Sequence, residues 1–468
     1  EEDLNKDGVF NEVDCQVKGS LFRHFNNMWT YILACLLLYL VFRNHMFRDN
    51  QDLAFLSAMI FISHPIHSSV VANIAGRNEI FSLLFIALTF LFSFRYLENK
   101  KLSTLFWAAL MYLLALFSKE YALVLLALLP IGCYVFTKIT FNLKAIILPS
   151  IVFVVCSLSM VILDEDKMTW FGFIPIAYII LAAFGFRKTL LQKDLNTLII
   201  WFFGAFLLYL GMRLNATILF PDLEDTELLN NPYVLANGEE KFCTKTFVWL
   251  KYFTLLWFPH PLSSDYSYQT ILYRHFGDWD FILSVLLHLT LLYLGIKLII
   301  KRHALGFAIS VYFAFLALTG NIFFSIGGVM NERYLFHPSI GFSIAISWLA
   351  LYGMDKLLTL SFNTKRIALF GSIGIIVFLY GCKTWERNAD WKNDITLFIK
   401  DVTTTPNSVL VLGNAGARWI DLADTKFFNK APGENPPLPF STYEDQMLAF
   451  TVDPNELKDG VKPKDNII

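Results

Sequence analysis

Between the apolar runs 53–62 and 80–94 the chain carries Ser63-His64-Pro65-Ile66-His67, then Gly76-Arg77-Asn78-Glu79. His64, His67, Arg77 and Glu79 are side chains that can hold a phosphate, donate to sugar oxygens and accept a proton. Ionisable groups at the rim of a membrane segment are expensive and mark function by default. Pro65 breaks the apolar helix, and local unwinding would turn both imidazoles into a cavity. The plainer alternative has the histidines satisfying backbone groups that the proline frees. A planar guanidinium such as Arg77 matches a phosphate in geometry as well as charge.

The pairing of acid with base recurs twice. Ser118-Lys119-Glu120 interrupts two apolar runs, a neutralised ion pair in a tight helical hairpin being the alternative, and Asn331-Glu332-Arg333-Tyr334 opens another run. Ser264-Asp265-Tyr266-Ser267-Tyr268 adds an acid, Asp265, and rings, Tyr266 among them, that would stack on a sugar; an ordinary turn is the alternative. Arg77, Lys119 and Arg333 would together bind a phosphate or pyrophosphate headgroup. Glu79, Glu120, Glu332 and Asp265 compete for the role of base or for sugar contacts.

At the start of the chain, Asp3-Leu4-Asn5-Lys6-Asp7-Gly8-Val9-Phe10-Asn11-Glu12-Val13-Asp14 fits the template of a calcium loop. Asp3, Asn5 and Asp7 would ligate by side chain, Val9 by its carbonyl and Asn11 directly or through water, with Asp14 closing the shell of a structural Ca2+. A solvated acidic turn is the alternative.

These groups need a scaffold, and composition says which kind. Of 468 residues, 56% are hydrophobic and 16% charged, and mean hydropathy is +0.51. Soluble domains carry about a quarter charged residues. Apolar windows of about 20 residues, long enough to cross a bilayer, recur from Trp29 to Trp385. The chain therefore reads as an all-α polytopic membrane protein with about 12 crossings, at 28–47, 52–73, 78–97, 103–118, 120–137, 145–163, 170–186, 197–213, 279–300, 304–326, 334–354 and 366–385. A net charge of −1 gives no case for nucleic acid. The opening Glu1-Glu2-Asp3 is not a secretory signal.

Lys and Arg concentrate in alternate connections, among them Arg95, Lys100 and Lys101, then Arg187, Lys188 and Lys193. By the positive-inside rule those face the cytoplasm, and segment 1–27, loop 214–278 and tail 386–468 lie outside, with the chemistry-bearing motifs. Thr246 to Pro259 reads as an interfacial or re-entrant helix within the outer loop. Cys15 and Cys243 then share the oxidising side, where a disulfide is permitted, whereas Cys35, Cys133, Cys156 and Cys382 read as packing residues. Ser408 to Trp419 interleaves small and large residues and would suit the first helix of a tetratricopeptide (TPR) array, through which the tail would meet protein partners.

His-Pro-Ile-His, Gly-Arg-Asn-Glu, Ser-Lys-Glu, Asp-Tyr-Ser-Tyr and Asn-Glu-Arg-Tyr-Leu-Phe-His-Pro-Ser-Ile-Gly-Phe, in that order from about Tyr31 to Trp419, resemble the transmembrane and tetratricopeptide-repeat-containing protein O-mannosyltransferases and their bacterial relatives. The resemblance implies a GT-C fold over 28–385, a polyprenyl-phosphate-linked sugar (mannose) as donor, a protein Ser or Thr hydroxyl as acceptor, and inversion at the sugar carbon. It also implies an extracytoplasmic active face. A single outer Asn-x-Thr site, at Asn215, favours a bacterial plasma membrane. The family places an acidic pair in its first outer loop as base; Glu1, Glu2 and Asp3 are the acids nearest that place. Two other classes compete: a non-catalytic membrane subunit that binds partners through its tail, and a lipid-linked-saccharide transporter, which would show inverted repeats.

Overall fold

A computed structural model describes residues 12–137, 195–219, 232–267, 270–322, 327–357 and 361–427. Every regular element among them is helical, and the chain is an all-α polytopic membrane protein. The helices are α1 (Glu12–Val41), α2 (Gln51–Ser63), α3 (Ser68–Val71), α4 (Arg77–Asn99), α5 (Leu102–Ser118), α6 (Leu125–Phe136) and α7 (Leu195–Leu219). They continue with α8 (Gly238–Trp257), α9 (Trp279–Ile300), α10 (Ala304–Thr319), α11 (Pro338–Leu357), α12 (Phe362–Asp390), α13 (Asp394–Thr404) and α14 (Val409–Phe427). Among the described residues five spans are long and apolar enough to cross a membrane: Phe22–Met46, Ile74–Asn99, Leu195–Arg213, Trp279–Ile300 and Asn363–Asp390. A sixth is the bent pair Gln51–Ser63 and Pro65–Val71, and Leu102–Ser118, Glu120–Phe136 and Ala304–Thr319 are shorter apolar helices. The expected crossings at 145–163 and 170–186 lie outside the described residues.

The chain divides into two units. The first holds Glu1–Glu224, Leu286–Thr319 and Arg333–Cys382; the second holds Asp225–Val285, Gly320–Glu332 and Lys383–Ile468.

In the first unit α4 packs along α5 and α1, α11 along α10 and α2, and α7 against α5. Leu56 and Ile60 of α2 meet Leu369 and Ile373 of α12 in a buried cluster. The helix read over 52–73 is broken at Pro65, where the proline was expected to break it. A residue before proline is pushed into the extended region, and His64 sits there at φ −65°, ψ 123°. The two halves bend by 49°. Side chains then satisfy the backbone groups at the break. The Tyr31 hydroxyl donates to the Ile62 carbonyl at 3.1 Å, Ser68 to that of Pro65 at 2.7 Å, and Ser69 to that of Ile66 at 3.0 Å.

Gly76 is required where the chain turns from α3 into α4. A Cβ there would stand 2.2 Å from the Val70 carbonyl oxygen. Gly76→Ala is therefore expected to destabilise the chain by about 1–3 kcal/mol, as overpacking does. Thermal unfolding in detergent checks this, and an unchanged midpoint would show that the turn has room.

In the second unit the expected interfacial stretch 246–259 belongs to a longer helix, α8, which begins eight residues earlier, at Gly238. An Asn237/Glu240 capping box starts it: each side chain bonds the other residue's backbone N–H. Cys243, one of the two cysteines for which a disulfide was permitted, is a free, buried thiol inside this helix. α14 contains the stretch expected to open a repeat array, and α13 packs against it. Asn215 lies within α7.

Candidate active site in the first unit

Glu79 is the centre of this site. It lies in the first turn of α4, its own N–H capped by Asn78 Oδ1 at 2.9 Å, and its side chain is 1% exposed. Arg77 stands two residues earlier, so it points to another face of the helix. There its Nε donates to Asn27 Oδ1 at 2.8 Å and an Nη to the Arg23 carbonyl at 3.2 Å. Asn27 Nδ2 in turn donates to the Asn73 carbonyl at 3.2 Å. Arg77 thus ties α1 to the turn before α4, and Glu79 faces the interior.

Three cationic or basic groups converge on that carboxylate. Lys119 occupies the extended break after α5, with Nζ 3.5 Å from Glu79 Oε1 and 4.9 Å from the centroid of the Tyr121 ring. His337 precedes Pro338 at the start of α11. It stacks on Phe315 at 4.9 Å and brings Nδ1 to 3.6 Å from Glu79 Oε2. Arg333, in the one-turn helix Glu332–Leu335, adds a second full positive charge to the field around Glu79. Neither carboxylate oxygen has a hydrogen-bond partner among the described residues, and neither does His337 Nε2. Buried carboxylates are ordinarily hydrogen-bonded, so orphaned oxygens beside two cations need a functional explanation.

The remaining expected residues of this unit are placed differently. Glu120 is exposed and opens a 3-10 turn over Glu120–Val124. His67 is fully engaged. Its Nε2 hydrogen-bonds Ser339 Oγ at 2.9 Å and its Nδ1 the Tyr31 hydroxyl at 2.8 Å, while Ser339 donates to the Phe336 carbonyl at 2.6 Å. His67 is therefore a clamp between α1, the break after α2 and α11. His64 accepts from the Ile66 N–H at 3.4 Å and lies 5.0 Å from the Tyr380 ring.

Asp265, Tyr266 and Glu332 lie in the second unit, in a separate buried network. The Tyr266 hydroxyl donates to Glu332 Oε1 at 2.8 Å and the Ser263 N–H to the same oxygen at 2.5 Å. Asp265 Oδ2 accepts from the Ser267 N–H at 2.7 Å and the Ser408 hydroxyl at 3.0 Å, which makes it the cap of its own turn. Arg387, 3% exposed, grips the fully buried Asp401 with bonds of 2.7 and 3.3 Å, and Asp401 also accepts the Ser264 N–H at 2.7 Å. The 263–267 loop is thereby fastened to α12 and α13.

Burial pushes the Glu332 carboxyl up to about 7, against the opposing pull of the Arg387 guanidinium and the two donated hydrogen bonds. Its folded value lies above the unfolded 4.5, so the native state holds the proton where the unfolded chain has lost it. Stability from this group is expected to fall as pH rises from about 4.5 to about 7 and to level off above that. Comparing unfolding midpoints of the parent and Glu332→Gln across that window checks the slope, which the Gln variant should lack.

The calcium ligands Asp3, Asn5, Asp7, Val9 and Asn11 lie outside the described residues; Asp14 falls in the first turn of α1. Among the described residues no group of three or more His, Cys, Asp and Glu is gathered as for a metal ion. Sequence reasoning missed His337, Arg387 and Asp401. The third His-Pro pair, His337-Pro338, was the available signal for the first; nothing local marks the other two.

The chain is 25% identical over 401 residues to a protein O-mannosyl-transferase of Caenorhabditis elegans, covering 84% of this chain and 47% of that protein. The chain is thus similar over most of its length to a protein O-mannosyl-transferase. Protein O-mannosyl-transferase TMTC4 of Homo sapiens is 25% identical over 387 residues, 78% of this chain and 46% of that protein. Protein O-mannosyl-transferase Tmtc2 of Drosophila melanogaster reaches 32% over 121 residues, 25% of this chain and 12% of that protein. The chain spans less than half the length of these O-mannosyltransferase relatives. No family model and no solved structure matches it.

Proposed function

We propose that the chain transfers mannose from a polyprenyl-phosphate-linked donor to Ser or Thr hydroxyls of proteins, on the extracytoplasmic face of its membrane, in the manner of a GT-C enzyme. One observation carries this reading: a buried carboxylate, Glu79, with no hydrogen-bond partner and with Lys119 and Arg333 as its cations. The names of the relatives support it.

The reaction needs little more. The acceptor oxygen attacks the anomeric carbon as the bond from that carbon to the phosphate oxygen breaks, inverting the centre. The hydroxyl proton passes to Glu79, and the polyprenyl phosphate leaves with the bonding pair. Phosphate is already a fair leaving group, so held positive charge at its oxygens and a positioned base are the main demands. Lys119 and Arg333 supply the charge. His337 Nε2, buried and without a hydrogen-bond partner, is placed to bond a donor oxygen. His64, His67 and Arg77 hold the broken helix and its turn in register. Asp265, Tyr266 and Glu332 hold the outer loop rather than act as bases. The cation pair also suits the membrane rim, where a lipid phosphate lies.

Transfer of labelled mannose from polyprenyl-phosphate-mannose to protein, in membranes holding the chain, tests the reading. Incorporation that depends on Glu79 is the expected result; a properly folded chain that transfers nothing would favour the non-catalytic subunit.

A further inference from the structure

A groove of about 420 Å³ opens in the second unit beside α8. Its wall carries three bases, Lys251, His260 and Arg274, and no carboxylate. Between them lie aromatic and aliphatic faces, Phe247, Phe258 and Leu272, and the hydroxyls of Thr254 and Thr405. Lys251 and His260 are exposed. A pocket of this size suits a ligand of a few residues or a small molecule, and a wall with one sign of charge selects the opposite sign.

The arrangement of the cations says which anion. The Arg274 guanidinium lies over Phe247 at 4.4 Å, with its Nε already committed to Asp280 at 2.9 Å. Lys251 lies over the same ring at 5.4 Å. A guanidinium whose Nε is already spent on a carboxylate, and an ammonium on a flexible stem, do not form the free bidentate fork that grips one dense phosphate. They fit a ligand whose charges are distributed and separated by apolar side chains. We propose that this groove binds an acidic, apolar-interleaved polypeptide segment, the stretch of an acceptor protein flanking its Ser or Thr. The assignment to an acceptor rests on the transferase reading above; the binding chemistry does not.

Equilibrium binding separates the two. A fluorescent peptide alternating Glu, Phe and Ser, and its Lys-substituted counterpart, are titrated by anisotropy into the full chain in nanodiscs, without donor. The Glu peptide is expected to bind, more weakly as salt rises, and Lys251→Glu with His260→Glu to weaken it about tenfold or more, while Glu79→Gln leaves it unchanged. Equal binding of both peptides, or no effect of the two charge reversals in a variant with the parent's unfolding midpoint, would overturn the proposal. Displacement of the peptide by polyprenyl phosphate from the parent but not from the reversed variant would overturn it too, by giving the groove to a lipid. Charge-dependent binding in a chain that transfers no mannose would support the groove and remove the transferase reading, so the two fail separately.

Discussion

Glu79→Gln is expected to slow mannose transfer by about 10²- to 10⁴-fold, the usual contribution of a positioned general base. The substitution keeps shape and removes the charge that faces Lys119 at 3.5 Å. It leaves Lys119 and Arg333 without their counter-charge, so the rate is read on a variant shown to be folded by its unfolding midpoint. The comparison that matters is with Glu120→Gln. That residue is exposed and its loss should leave the rate within a few-fold of the parent. If the two variants behave alike, or if Glu79→Gln transfers at the parental rate, the base is elsewhere. Lys119→Met should act on the donor side, lowering kcat/KM for polyprenyl-phosphate-mannose, because a phosphate holder serves both bound substrate and departing phosphate.

The largest expected effect on stability lies in the second unit. Arg387 is 3% exposed and Asp401 is fully buried. Arg387→Met would leave the Asp401 charge without its bidentate partner and Glu332 without the cation that opposes its burial. Breaking a buried pair from one side costs about 3–5 kcal/mol. Ser263 and Ser264, whose N–H groups are held by Glu332 and Asp401, should become sites of proteolytic nicking. Limited proteolysis followed by mass mapping reads this directly. The paired replacement Arg387→Met with Asp401→Leu should recover much of the loss, since removing both charges leaves neither stranded. A single variant as resistant as the parent would show the network to be dispensable.

How much of this was readable beforehand divides by the range of the interactions. Apolar windows of span length, Pro65 at a helix break, Gly76 at a tight approach and Lys119 at the end of an apolar run are local properties. A dry helix must satisfy its own backbone, and a proline or a charge interrupts it wherever it stands. Those features therefore gave the all-α membrane class and the order of the elements. The likeness to O-mannosyltransferases rested on motifs of the same local kind.

What the sequence could not decide is which neighbours share a site. Arg77 and Glu79 read as one cluster, but the helical turn between them sends Arg77 to Asn27 and Glu79 to Lys119 and His337. Glu332 and Arg333 are adjacent, but Glu332 bonds Tyr266 while Arg333 belongs to the field around Glu79. His67 looked like a ligand for substrate and is held at both nitrogens by Tyr31 and Ser339, residues 36 and 272 positions away. Periodicity and composition fix helices because helix hydrogen bonds span four residues. Burial, and with it the partner of each buried charge, depends on packing between helices far apart in the chain, and only the tertiary structure decides that.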